Sequence, residues 1–220
     1  MPERIPIYCI PGLAASSNIF EYIKLPPETF EVIYLEWLDP ESKDEALEHY
    51  AARMAKEIKH PCPVLLGVSF GGVVVQEISK IIKTKKIIII SSVKSVKEMP
   101  GRLIWLRKTG LFKLLPVKKI SKIDDFSKYS FHQVVKRKAE LYNKYMRVRN
   151  EIYLNWAIKC ILNWKGINPC ANVLHIHGTR DEIFPIKHID NCVSVEGGTH
   201  AMIITRAKKI NEIILNNLES

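Results

Sequence analysis

The sequence predicts an α/β protein, a doubly wound, mostly parallel sheet of about six strands carrying a helical insertion. Three observations lead there. Short apolar runs alternate with amphipathic stretches at both ends of the 220-residue chain, the pattern of strand–helix–strand crossovers. The run Lys86 to Ser91 is almost unbroken isoleucine, as expected where helices cover both faces of a strand. Between Ser95 and Lys165 the strands stop and apolar residues such as Leu103, Leu106, Leu111, Phe112, Leu114 and Leu115 take a helical spacing.

Taken in order, Arg4 to Cys9 is the first strand, closed by Pro11-Gly12, and Val32 to Leu35 is the second. Ser42 with Glu45 forms a capping-box pattern that predicts a helix running to about Lys59, and Pro61 and Pro63 prevent its continuation. Val64 to Gly67 is the third strand. The helix after Ser69 is predicted to run to about Ile82, and its β-branched surface (Val73, Val74, Val75, Ile78, Ile81, Ile82) belongs against a sheet. Lys86 to Ser91 is the fourth strand, Asn172 to Gly178 the fifth and Cys192 to Val195 a short last one. Ala201 to Leu218 closes the chain as an amphipathic helix. Right-handed crossovers then place any ligand site at the carboxyl ends of the strands, and Ser69 lies at such an end.

With 47% hydrophobic residues the chain can bury one sizeable core. The expected organisation is a core of residues 1–94 and 166–220 with residues 95–165 inserted. Ile5 to Ile10 lacks the basic leader, length and small-residue cleavage site of a secretory signal, and no apolar run approaches the roughly 20 residues that span a bilayer. Cys9, Cys62, Cys160, Cys170 and Cys192 form an odd set without C-x-x-C spacing, which argues against a disulfide framework or zinc site. A reducing compartment, the cytoplasm, is the expected location.

Gly67-Val68-Ser69-Phe70-Gly71 fits G-x-S-x-G at a predicted strand-to-helix reversal. Such a turn needs small residues two before and two after the serine, because strand and helix crowd there while the serine backbone is strained and its Oγ projects outward. Two further motifs follow. In His177-Gly178-Thr179-Arg180-Asp181-Glu182-Ile183-Phe184-Pro185 an aspartate stands three residues after a strand-ending glycine, and Gly197-Gly198-Thr199-His200 places a histidine after the last strand. Together the three motifs, in this order, resemble the α/β-hydrolase superfamily over nearly the whole chain outside residues 95–165.

The resemblance implies a minimal α/β-hydrolase fold with a helical lid and a catalytic triad of Ser69, Asp181 and His200. An imidazole of pKa about 6.5 can take the serine proton at neutral pH; the aspartate would fix its tautomer and an acyl group would pass through Ser69. Oxyanion donors would be the backbone N–H groups of Phe70 and, by position after Pro11-Gly12, Leu13. Many relatives carry His-Gly where this chain has Pro11-Gly12, so any hydrogen bond that histidine makes within the loop is missing. The expected activity is hydrolysis of a carboxylic ester or thioester without metal or organic cofactor. The same fold and triad also serve acyl transferases, C–C bond hydrolases and cofactor-free haloperoxidases, and a lidded ligand receptor is a further alternative.

Other residues compete for these roles. Glu182 and Asp190 are alternative acids. His175 and His177 have the spacing of a two-histidine metal pair without a third ligand nearby, and Ser16 and Ser17 could touch substrate. Between Lys94 and Lys165 there are 18 lysine or arginine residues against 5 acidic ones, net +13, while the rest of the chain is net −3. Ten of the nineteen aromatic residues lie there too. Either lysines solvate helix faces that aromatics pack onto the core, or the segment, with its Lys136-Arg137-Lys138 cluster, steers an anionic amphiphile or meets an anionic membrane. No nucleic-acid recognition motif is present. The oligomeric state is left open.

Overall fold

The computed structural model describes residues 4–114, 143–148, 150–166 and 173–218. Six strands form one parallel sheet in the order β2-β1-β3-β4-β5-β6. They are β1 (Ile5–Ile10), β2 (Phe30–Tyr34), β3 (Val64–Val68), β4 (Lys86–Ile90), β5 (Val173–Gly178) and β6 (Val193–Val195). The order turns back at β1 and β3, so the crevice at the carboxyl ends of these strands is where a doubly wound sheet places its ligand.

The strand side chains alternate between two cores, which is why the central strands are apolar at every position. Tyr8, Ile10, Leu65, Ile87 and Ile89 face one layer, formed by α1 (Leu47–Ala55) and α2 (Phe70–Ile78). Ile7, Cys9, Leu66, Ile88 and Ile176 face the other. Met202 and Ile203 of α5 (Met202–Thr205) and Ile210 and Ile214 of α6 (Ala207–Leu218) complete that second core.

The insertion between β4 and β5 carries α3 (Gly101–Thr109) and α4 (Glu151–Asn163). Asn150 caps α4, accepting from the N–H groups of Ile152 and Tyr153. Trp156 and Tyr153 are buried in the α1/α2 layer, so these aromatics pack the insertion onto the core. Leu103 and Leu106 of α3 face inward, whereas Trp105 is 56% exposed. Leu115, the Lys136-Arg137-Lys138 cluster and Cys170 lie outside the described residues. Among the described residues no helix is long and apolar enough to cross a membrane.

Several boundaries differ from the sequence reading. The Ser42–Glu45 capping box does not form: α1 starts at Leu47 after an extended Ala46 with no side-chain cap. Glu45 instead accepts from Arg53 Nε and Nη2, each at 2.9 Å, and from the Glu41 N–H at 2.7 Å. A two-pronged bond to a guanidinium outcompetes a cap that satisfies one backbone donor. Helix α1 also stops at Ala55, before Lys59, and α2 at Ile78, leaving Ile81 half exposed. The closing helix is interrupted at Arg206, whose φ of −129° and ψ of 23° are not helical.

Candidate active site

The reversal from β3 to α2 places Ser69 at φ 52°, ψ −116°, a left-handed conformation that costs a non-glycine residue about 1–3 kcal/mol. The surroundings hold it there. Ser69 N–H donates to Ile90 O at 2.9 Å, and Ser69 O accepts from Gly72 N–H at 2.9 Å and from Ser92 Oγ at 2.7 Å. Both flanking glycines are required by contact. A Cβ on Gly67 would lie 2.3 Å from Gly71 O, and one on Gly71 would lie 2.3 Å from the carbonyl oxygens of Ile10 and Pro11.

His200 arrives on the loop after β6, and Asp181 on the loop after β5. These loops are stitched together: Gly178 and Gly198 are in backbone contact too close for a side chain, and Arg180 N–H donates to Gly198 O at 2.8 Å. Ser69 Oγ lies 3.0 Å from His200 Nε2, and His200 Nδ1 lies 2.9 Å from Asp181 Oδ2. A carboxylate can only accept, so Nδ1 carries the proton and Nε2 is left to accept from the Ser69 hydroxyl. Asp181 Oδ1 accepts from the Ile183 and Phe184 N–H groups at 2.8 and 3.0 Å. Burial pushes the Asp181 carboxyl up, but the His200 hydrogen bond and charge outweigh it and hold the group below its ordinary value. The Phe184 ring meets the His200 ring at 5.6 Å and 61°, fixing the plane of the imidazole. This arrangement can transfer a proton from Ser69 to His200 while an electrophile is attacked.

A cavity of about 580 Å³ opens on Ser69 and His200. Leu103 and Leu106 of α3, Ile158, Ile161 and Leu162 of α4, and Ile203 of α5 wall it. No lysine, arginine, aspartate or glutamate is among the described residues that line it. Gly12 and Leu13 line the same space, and a Cβ on Gly12 would lie 3.6 Å from Ser69 Cβ, so the loop after β1 abuts the elbow. Phe70 is fully buried behind it. A wider open groove bounded by Tyr22 and Arg206 contains neither Ser69 nor His200.

The competing residues go elsewhere. The Asp190 N–H donates to Glu98, and Glu182 is exposed with its carbonyl accepting from Arg102. Ser16 and Ser17 do not line the cavity; their N–H groups donate to Tyr145 O and to the Glu36 carboxylate. His175 Nε2 and His177 Nδ1 are 3.1 Å apart and hydrogen-bond each other, while His177 Nε2 donates to Phe184 O at 2.8 Å. The pair is therefore a buried strut behind the Asp181 loop. Glu41, Glu45 and His49 are the one group of three metal-type ligands among the described residues, but Arg53 already pairs with both carboxylates. Sequence reasoning missed Ser92 and Trp37, whose indole N–H donates to Gly12 O at 3.1 Å, and neither sits in a motif; Phe184 lies in the acid-loop motif, but its contact with His200 is visible only in the fold.

No protein-family model matches the sequence, and no curated protein matches it. Solved structures do. The chain is similar to MenH from S. aureus, with 16% identity over 99% of this chain and 94% of that one and a TM-score of 0.69. It is similar to the esterase EaEST from Exiguobacterium antarcticum, with 17% identity over 100% and 94% and a TM-score of 0.67. It is likewise similar to a bromoperoxidase from Bacillus anthracis, with 19% identity over 99% and 93% and a TM-score of 0.67. With likeness of this extent across nearly the full length of each, the six-stranded parallel sheet and its helices are those of the α/β-hydrolase fold.

Proposed function

We propose that the protein is a serine hydrolase that cleaves a carboxylic ester or thioester bearing a neutral, apolar acyl group. The observation that carries this is the hydrogen-bonded line from Ser69 Oγ through His200 to Asp181, at 3.0 and 2.9 Å, at the mouth of a cavity whose described lining carries no lysine, arginine, aspartate or glutamate. Ser69 Oγ attacks the acyl carbon as its proton passes to His200 Nε2, and Asp181 stabilises the resulting imidazolium. The Phe70 and Leu13 N–H groups receive the oxyanion. Collapse expels the alcohol or thiol, which leaves with the His200 proton. Water then gives a proton to His200 and attacks the acyl-enzyme, releasing the carboxylic acid and restoring Ser69. The step needs no metal or organic cofactor, and α3 and α4 of the insertion cover the acyl chain.

Burying each added methylene is worth about 0.8 kcal/mol, or roughly fourfold in rate. On p-nitrophenyl esters of graded length, and on matching acyl thioesters, kcat/KM is expected to climb by about that factor per carbon until the cavity is full. An ester whose chain ends in a carboxylate is expected to be poorer than its methyl-ended counterpart by at least 100-fold, because the charge has no partner among the described residues of the lining. Equal rates for the two, or a preference for the charged one, would remove the apolar acyl assignment. Absence of turnover on the whole series, with Ser69 unreactive, would remove the hydrolase.

A further inference from the structure

We infer that Trp37 is a positioning residue for the oxyanion site, holding the peptide that supplies the Leu13 donor and packing against the residue that supplies the other. This rests on the hydrolase reading above. The Gly12–Leu13 peptide is trans, as are all the described peptide bonds, so the Gly12 carbonyl and the Leu13 N–H lie in one plane and point in opposite directions. Trp37 does not line the cavity, whereas Gly12 and Leu13 do. Its indole N–H donates to Gly12 O at 3.1 Å. Tying that oxygen to the protein side turns the N–H on the opposite edge towards the cavity and Ser69. A hydrogen bond accepted by an amide oxygen also polarises the amide and strengthens its N–H as a donor.

The second half of the inference comes from the ring. Trp37 stacks on Phe70, with centroids 5.4 Å apart and planes at 24°, and Phe70 follows the nucleophile and carries the other donor. Tyr153 and Tyr50 confine the indole from further sides, at 5.5 and 6.4 Å. One side chain from the loop after β2 thus touches Phe70, which carries one donor, and the carbonyl end of the Gly12–Leu13 peptide, whose N–H is the other. The loop's own hold on this geometry comes from its backbone, with Val148 N–H also donating to Ala14 O at 3.0 Å. Pro11 has neither a side-chain donor nor a backbone N–H, Ala14 sits at φ 64°, and Ala15 N–H shares the Gly12 oxygen at 3.0 Å. Trp37 is the side-chain tether the Pro11-Gly12 loop cannot provide for itself.

The test replaces Trp37 with benzothienylalanine, an isostere with sulfur in place of the indole N–H, beside Trp37→Phe, which shortens the ring as well. The readouts are kcat and KM on p-nitrophenyl octanoate, and the inhibition constants of an octyl trifluoromethyl ketone, which becomes an oxyanion on Ser69, and of the matching unreactive amide. Losing the tether is expected to lower kcat about tenfold with KM within about twofold, and to weaken the trifluoromethyl ketone by the same factor while the amide binds as before. Trp37→Phe is expected to lose more, and to melt at a lower temperature. The inference is overturned if the isostere keeps kcat and ketone affinity, or if ketone and amide weaken together, since packing alone would produce either result. A wild-type protein that neither turns over the ester nor binds the ketone would instead remove the hydrolase reading, and this inference with it.

Discussion

Lowering the pH from 6.5 to 5 should cost the folded protein about 1.6 kcal/mol through His175 alone. Burial, with the neighbouring His177 and the charge of Lys94 adding to it, pulls the His175 imidazole from the ordinary 6.5 to about 3. Between those values the unfolded chain binds a proton that the folded chain refuses. The contribution to stability is therefore complete above pH 6.5 and is lost as pH falls, at up to about 1.4 kcal/mol per pH unit. His177, also lowered by burial, acts with the same sign. Glu45 and Asp181, both held below their ordinary values of 4.5 and 3.8, lose their contributions only in more acidic solution, so the two windows separate. The perturbation is His175→Phe, which keeps a ring edge-on to His177, where the native rings meet at 5.1 Å and 89°. The variant forfeits the bond to His177 at every pH, which shifts its curve downward, but the mean slope between pH 6.5 and 5 should be shallower by about 1.1 kcal/mol per unit. Urea unfolding at pH 7.5, 6.5 and 5 reads both quantities. Parallel curves for the two proteins would refute the reasoning, because the offset reports the lost contact and only the slope reports the proton.

Asp181→Asn is expected to keep the fold and lower kcat on the order of 10⁴-fold, as loss of the tautomer-fixing acid does in a serine triad, while the exposed Glu182→Gln leaves kcat within about twofold. Steady-state kinetics on one ester decides it, and the reverse ranking would move the acid by one residue. Gly71→Ala would set a Cβ 2.3 Å from two carbonyl oxygens, whereas Gly12→Ala meets nothing nearer than 3.6 Å. Thermal melts should show a loss of about 3 kcal/mol or more for the first and under about 1 kcal/mol for the second, and equal losses would contradict the crowding of β1 against the elbow.

Much of this architecture was legible in the sequence for an identifiable reason. Ser69, Asp181 and His200 lie at or after strand ends whose isoleucine and valine runs are distinctive, and each stands beside glycines that the backbone crossings demand. What was illegible depended on partners remote in the chain. Glu45 looked like a helix cap because Ser42 precedes it by three residues, yet Arg53, eight residues on, claimed its carboxylate. Trp37 sits in an ordinary loop, and only the fold brings its indole to Gly12, twenty-five residues earlier. The break at Arg206 interrupts a helical pattern without glycine or proline to signal it. The cavity walls on α3 and α4 have an apolar spacing that equally suits a plain core, so the pocket emerged only when the insertion was seen against Ser69.

The central claim is that Ser69 is a nucleophile activated by His200. A fluorophosphonate probe followed by peptide mass spectrometry tests it most directly, since phosphonylation requires that activation and no knowledge of the substrate. The account predicts modification on Ser69 alone, abolished in Ser69→Ala and slowed by orders of magnitude in His200→Ala. Labelling that persists in Ser69→Ala, or that proceeds at the wild-type rate without His200, would contradict it.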